Sequence, residues 1–161
     1  ELPFRWMTGT QSHEGMAGTK AAIEHIAWIG RENSGNPELS RRDALIEAYD
    51  AIEQYERGLF LRMLEGLEGI EGVKIWGITE PNRISERAPT VSFTHPSLSA
   101  KEIGRRLAER GVFVWAGNFY ALELTEALGL EPEGVLRAGL LHYNSLEEVD
   151  YFVESVAEIL G

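Results

Sequence analysis

The sequence predicts an α+β fold: a small mixed or antiparallel sheet with helices on one face, preceded by a long helix. Three observations predict it. Apolar residues recur at helical spacing from about residue 40 to 68, roughly 40 Å of helix and more than a small domain is wide. Beyond residue 70 the pattern changes to short runs rich in β-branched and aromatic residues. Those runs then alternate with helical segments in the order β-β-α-β-α-β-α, which makes a layer of helices on a small sheet.

Each element has a local reason. A first helix is expected from about Ser12 to Trp28, with Ser12 as its cap, Glu14 in the positive first turn, and Met16, Ile23, Ile26 and Ala27 on one side. "GRENSGNP" (30–37) reads as a turn-rich break. The long helix starts at Asn36-Pro37 or at Ser40, and Leu45, Tyr49, Ile52, Leu59, Met63 and Leu67 mark its apolar stripe. "VKIWGI" (73–78) and "TVSFTH" (90–95) read as strands, the second with Val91 and Phe93 on one face and Ser92 and Thr94 on the other. Ser99 and Glu102 form a capping box for a helix that ends at Gly111. "VFVWA" (112–116) reads as a short buried strand, and "GNFYALELTEALG" as a turn with a short helix stopped by Gly129. "VLRAGLL" (135–141) is the last strand. Ser145 and Glu148 cap a final helix whose Val149, Phe152, Val153, Val156 and Leu160 line one face.

Composition bounds the function. The 161 residues are about one domain, and an apolar content of 43% suffices for a core. A formal charge of −11 with no basic cluster repels nucleic acid and anionic lipid. There are no cysteines, which excludes disulfides, thiolate metal sites and cysteine nucleophiles and suits a cytoplasmic chain. No stretch has the ~20 apolar residues of a membrane span, and the opening "ELPFRWM" lacks the pattern of a secretory signal. The four histidines show no metal-ligand spacing, and no acid/base pair stands out, so no catalytic residue and no metal site is assigned.

Three places carry candidate chemistry, each with two readings. Gly9, Thr10 and Ser12 at the start of a helix suit phosphate capture, or an ordinary turn and cap. The spacing is neither a P-loop nor a dinucleotide fingerprint. Arg137, inside an apolar strand, suits a carboxylate held by two parallel hydrogen bonds, or the wet face of a half-exposed sheet. "WAGNFYA" (115–121), with Gly117, Asn118 and Tyr120, suits an active-site loop, or a plain strand–helix turn.

The order of these motifs is more specific than any one of them. "GTQSHEGMAGTKAAIEHIAWIG", a long helix, "RISERAPTVSF", "GVFVWAGNFYA" and "LRAGLLHYNSLEEVDYFVESV" follow one another over nearly the whole chain. This series resembles the C-terminal part of pyridoxal-phosphate (PLP) enzymes of the class V aminotransferase family, near its cysteine desulfurase-like members. The last segment is similar to a family signature that falls here on Arg137, Gly139, Tyr143, Asn144, Ser145, Glu147, Glu148 and Asp150. The resemblance implies that Gly9 and Thr10 contact the phosphate of a PLP bound mostly to the neighbouring subunit of a homodimer. It implies that Arg137 holds the α-carboxylate of an amino-acid substrate and that Asn118 lies in the substrate loop. Residues 1–35 become the tail of a large PLP-binding domain, and residues 36–161 a small C-terminal α+β domain.

The departures shape the expected function. The family's Schiff-base lysine lies upstream of the Gly-Thr pair, and Lys20, Lys74 and Lys101, the only lysines, have no such place. The loop that bears the thiol of cysteine desulfurases corresponds to "WAGNFYA", which has none. The expectation is therefore a C-terminal fragment of a PLP enzyme, inactive and without bound PLP on its own, its parent a transaminase, lyase or other amino-acid enzyme. The rival expectation is a self-contained α+β binding or regulatory domain that dimerises through its long helix.

Overall fold

A computed structural model describes residues 9–161. Their contacts form two compact units, the first reaching to Glu53 and the second running from Gln54 to Gly161.

The N-terminal unit consists of helix α1 (His13–Ser34) and the first half of helix α2 (Arg41–Glu68). Ser12 caps α1 as expected, its Oγ accepting from the N–H of Gly15 at 3.2 Å. The helix runs six residues beyond the predicted end at Trp28, through Gly30, and stops at Gly35 in the left-handed conformation. Gly30 is thus a contact point rather than a break. A Cβ there would lie 1.8 Å from the carbonyl oxygen of Ala44, so only glycine lets α1 and α2 approach this closely. Ala27, Ala44 and Ala48, all fully buried, complete the small-residue seam. Ser40 caps α2, accepting from the N–H of Asp43 at 3.2 Å, which selects the later of the two predicted starts.

The second unit holds the sheet. Strands β1 (Lys74–Trp76), β2 (Thr90–Thr94), β3 (Trp115–Gly117) and β4 (Val135–Gly139) lie in the order β1-β2-β4-β3, every pair antiparallel. A 3₁₀ turn (Pro81–Glu86) joins β1 to β2. Helix α3 (Ala100–Glu109) precedes β3, α4 (Leu122–Ala127) precedes β4, and α5 (Leu146–Leu160) ends the chain. Alternation along the strands sends Val91, Phe93, Leu136 and Ala138 to one face. There they join Phe60, Met63 and Leu67 of α2, Ile103 and Leu107 of α3, and Phe152 and Val156 of α5 in one core. Each large apolar side chain so buried contributes about 1.5–3 kcal/mol. Helices on one face of a small antiparallel sheet, after a long helix, is the predicted class.

One strand differs from its expectation. "VFVWA" reads in the sequence as buried throughout, yet pairing covers only Trp115–Gly117, and Phe113 and Trp115 are 85% and 72% exposed. Val112, Val114 and Ala116 face the core while Phe113 and Trp115 face outward. The segment alternates like any sheet-edge strand, but with aromatic residues on its open side, so composition alone reads it as buried.

Candidate functional site

The uncovered face of the sheet carries the site. Antiparallel register sets Trp76 opposite Ser92, Ser92 opposite Arg137, and Arg137 opposite Trp115. Opposed residues share a face, so these four form a row across all four strands with Arg137 near its centre. Leu136 and Ala138 on either side are buried and anchor the strand, so the guanidinium has to leave on the open side. Gly139, next along this face, keeps the surface low. A Cβ there would lie 3.1 Å from the Thr90 hydroxyl.

The loop after β3 closes over this row. Gly117 has φ +139°, and Phe119 and Tyr120 both lie in the left-handed region at φ +56° and +61°. Each such non-glycine residue costs roughly 1–3 kcal/mol, which the surrounding structure has to offset. Two devices do so. The Asn118 Oδ1 accepts from the N–H of Tyr120 at 3.2 Å, and the Asn118 carbonyl accepts from the N–H of Ala121 at 2.9 Å. Gly134, at the entrance to β4, packs directly on the Gly117 backbone. The loop so held sets the Phe119 ring against Arg137, with Cζ 3.8 Å from the ring centre. Among the described residues Arg137 has no carboxylate partner. A cleft of about 790 Å³ opens beside it, lined by Phe113, Trp115, Arg137, Leu140, Asn144 and Phe152 among others.

The rear wall of the cleft is the start of α5. Asn144 accepts from the N–H of Leu141 at 2.8 Å and donates to Glu148 at 3.1 Å. Ser145 and Glu148 exchange the reciprocal bonds of a capping box. The Ser145 N–H and the Asn144 amide hold the Glu148 carboxyl below its usual range. Tyr55 donates to the Asn144 carbonyl at 2.7 Å, and Arg62 pairs with Asp150 at 2.7 Å, tying this turn to α2. Asn144, Ser145, Glu148 and Asp150 of the last motif thus form a brace, and Arg137 is the motif's charged member on the open face. Below the brace, burial raises the Glu56 carboxyl pKa, opposed by His142 at 4.0 Å. Arg87 fastens the loop before β2 by donating to the carbonyls of Ile78 and Thr90 over the Phe60 ring, and burial lowers its pKa.

The structure therefore brings Arg137 and the loop of Asn118 together. Gly9 and Thr10 belong to the N-terminal unit, where both are exposed ahead of α1. A shallow hollow of about 570 Å³ begins at the next residue, lined by Gln11, Ser12, Thr19, Lys20, Glu24 and Arg41 with others but by neither Gly9 nor Thr10. Sequence reasoning misses Phe119, Trp115 and Ser92 as members of the site. The alternation of "TVSFTH" and "VLRAGLL" already places Ser92 and Arg137 opposite the core residues. Their pairing requires the register, and Phe119 requires the loop's backbone angles. Among the described residues no helix is long and apolar enough to cross a membrane.

The fold defines the class first. A four-stranded antiparallel sheet with helices on one face, behind a long helix, is shared with the apo structure of cysteine desulfurase from Thermococcus onnurineus NA1. The TM-score is 0.78 at 29% identity, over 98% of this chain and 34% of that one. The chain belongs to the class V aminotransferase family, whose family model, "Aminotransferase class-V", matches residues 46–152. An aminotransferase-like protein of Gibberella zeae is 32% identical over 144 residues, 88% of this chain and 33% of that protein. A probable cysteine desulfurase of Pyrococcus abyssi is 31% identical over 160 residues, 99% of this chain and 34% of that protein. The chain spans about a third of the length of these relatives.

Proposed function

We propose that this chain is the C-terminal part of a PLP-dependent enzyme of the class V aminotransferase family that acts on an amino acid. Residues 1–35 are the tail of the large cofactor domain and residues 36–161 the small C-terminal domain. Arg137 receives the substrate's α-carboxylate, and Asn118 contributes from the loop beside it. Gly9 and Thr10 contact the phosphate of a PLP held mostly by the partner subunit of a homodimer. The lysine that anchors PLP belongs to the large domain upstream, so the chain alone has no turnover.

The residues suit these roles. Thr10 is exposed two residues ahead of the Ser12 cap of α1, and Ser12, Thr19, Lys20 and Arg41, the last paired with Glu24 at 3.6 Å, line a hollow that begins at Gln11; donors of this kind suit a phosphate dianion. PLP, when bound, supplies an electron sink for negative charge developing at the amino acid's α-carbon. The groups of this chain bind and orient. The Arg137 guanidinium offers parallel N–H donors to a carboxylate, and Trp115 opposite it and Phe119 stacked on it provide apolar surface that strengthens the pairing. With no cysteine among the 161 residues, the proposed chemistry needs no thiol from the loop at 115–121.

The observation that carries this reading is Arg137 itself, a guanidinium centred on an open sheet face with no counter-ion among the described residues. The test is Arg137→Lys in the full-length enzyme. Loss of one bidentate, charge-assisted contact costs about 1.5–3 kcal/mol, so KM for the amino acid should rise about 10–100-fold with PLP absorbance intact. An unchanged KM refutes the assignment.

The second reading, a self-contained module that dimerises through α2, draws on the exposed Ile46 and Tyr49 of that helix. Sedimentation separates the two. A compact dimer abolished by Tyr49→Glu supports the module, and a chain that forms no such dimer supports the larger enzyme.

A further inference from the structure

We infer that Phe119 is a positioning residue for Arg137: its ring covers one face of the guanidinium and leaves the N–H edge to meet a carboxylate in plane. The inference rests on Arg137 being the carboxylate contact. Two independent observations carry it. The Cζ of Arg137 stands 3.8 Å from the Phe119 ring centre, a stacking distance. Among the described residues Phe119 and Tyr120 are the only non-glycine residues with positive φ, and they are adjacent in this loop. A bulky side chain rarely adopts that conformation without a purpose.

The strain has no packing rationale. Phe119 is partly buried and absent from the core cluster that holds the sheet to its helices. Tyr120, its strained neighbour, is fully exposed. What the left-handed pair achieves is the direction of the Phe119 ring, and what that ring meets is Arg137. An arginine on the open face of a sheet otherwise samples many rotamers of its long stem. Stacking removes most of them while using none of the five N–H donors. A carboxylate reaching Arg137 is then met by a guanidinium whose plane is already set. Asn118, whose Oδ1 is engaged by the Tyr120 N–H, serves the same end by holding the turn.

The test uses the full-length enzyme labelled with ¹⁵N at arginine, following the Nε–Hε signal of Arg137 alone and during titration with L-alanine. In the wild type the signal should stand apart from those of the other arginines and move with L-alanine. Phe119→Leu should return it to the exposed-arginine region and weaken L-alanine binding about two- to fivefold. Backbone amides of Arg105, Arg106 and Arg110 should stay in place, and Phe119→Tyr, which keeps a ring, should restore both readouts. An unmoved signal or unchanged affinity in Phe119→Leu overturns the inference, as does loss of both readouts in Phe119→Tyr. A wild-type signal that ignores L-alanine sinks the carboxylate reading instead. The displaced Nε signal then judges the stacking separately.

Discussion

Gly134 and Gly117 meet backbone to backbone: a Cβ built on Gly134 would lie 2.3 Å from the carbonyl of Gly117. This contact joins the residue just before β4, the strand of Arg137, to the first residue of the strained loop. It couples the two halves of the candidate site through main chain alone. Gly134 also has φ +67°. Gly134→Ala should therefore cost about 2–4 kcal/mol, from left-handed strain and from overpacking. Thermal unfolding measures the loss, and an alanine variant as stable as the wild type would show that the loop is not seated on Gly134.

Helix glycines should divide by what faces them. Gly30 lies against the Ala44 backbone, whereas a methyl group added to Gly58, exposed within α2, would have nothing within 4 Å. Gly30→Ala should destabilise by about 1–3 kcal/mol through overpacking. Gly58→Ala should stabilise by about 0.5–1 kcal/mol, because alanine loses less backbone entropy in a helix. Opposite signs in urea unfolding of the two variants are the expected result, and equal signs would reject the α1–α2 contact.

That pair of glycines also marks how much of the fold is legible in the sequence. Caps are local, so Ser12, Ser99 and Ser145 announce their helices, and each side chain accepts the bond expected of it, although the capping box expected at Ser99 is only half made because the Glu102 carboxylate turns to Arg105 and Arg106. Strand alternation is local too, which is why Val91 and Phe93 fall on one face in the sequence as in the structure. Gly30 misleads because a glycine shows where a helix tolerates a break, not which neighbour requires the missing side chain. Phe113 and Trp115 mislead because an apolar residue suggests burial, while the open face of this sheet is itself aromatic. Arg137 stands out as a charge in an apolar strand. Its neighbours in the row, Ser92 and Trp115, depend on pairing across 45 and 22 residues of chain respectively, which no local pattern encodes. The stacking of Phe119 depends on two φ angles that sequence does not display.

Acid sensitivity should follow the brace at the start of α5. The Ser145 N–H, and then the Asn144 amide, lower the Glu148 pKa from its ordinary value of 4.5. A carboxyl lowered on folding binds fewer protons in the native state than in the unfolded chain. Its stabilisation is complete above pH 4.5 and is lost as pH falls through the folded value. Glu102 behaves alike, held at about 2 by Arg105 and Arg106. Glu148→Gln should make the chain less stable at neutral pH and flatten its stability profile below pH 4.5. Urea midpoints from about pH 7 to 3 would check this, and a wild-type slope in the variant would contradict it.

The last prediction concerns where the chain opens first. Of the 22 residues of α1, only Ala27 and Gly30 are buried, and Met16, Ile23 and Trp28 are 50%, 40% and 54% exposed. Helical hydrogen bonds survive local opening when tertiary packing holds them, and two small buried residues give little packing to lose. The strands β2 and β4 differ, since Val91, Phe93 and Leu136 are fully buried between α2, α3 and α5. Amides of the first three turns of α1 should exchange with solvent orders of magnitude faster than those of Val91, Phe93 and Leu136. Native-state hydrogen exchange on the isolated chain, at a concentration where sedimentation reports a monomer, is the measurement. Uniformly slow exchange along α1 in that monomer would mean that its Met16, Ile23 and Trp28 face is covered by this same chain, and the proposal that the helix is the tail of a larger domain would fall with it.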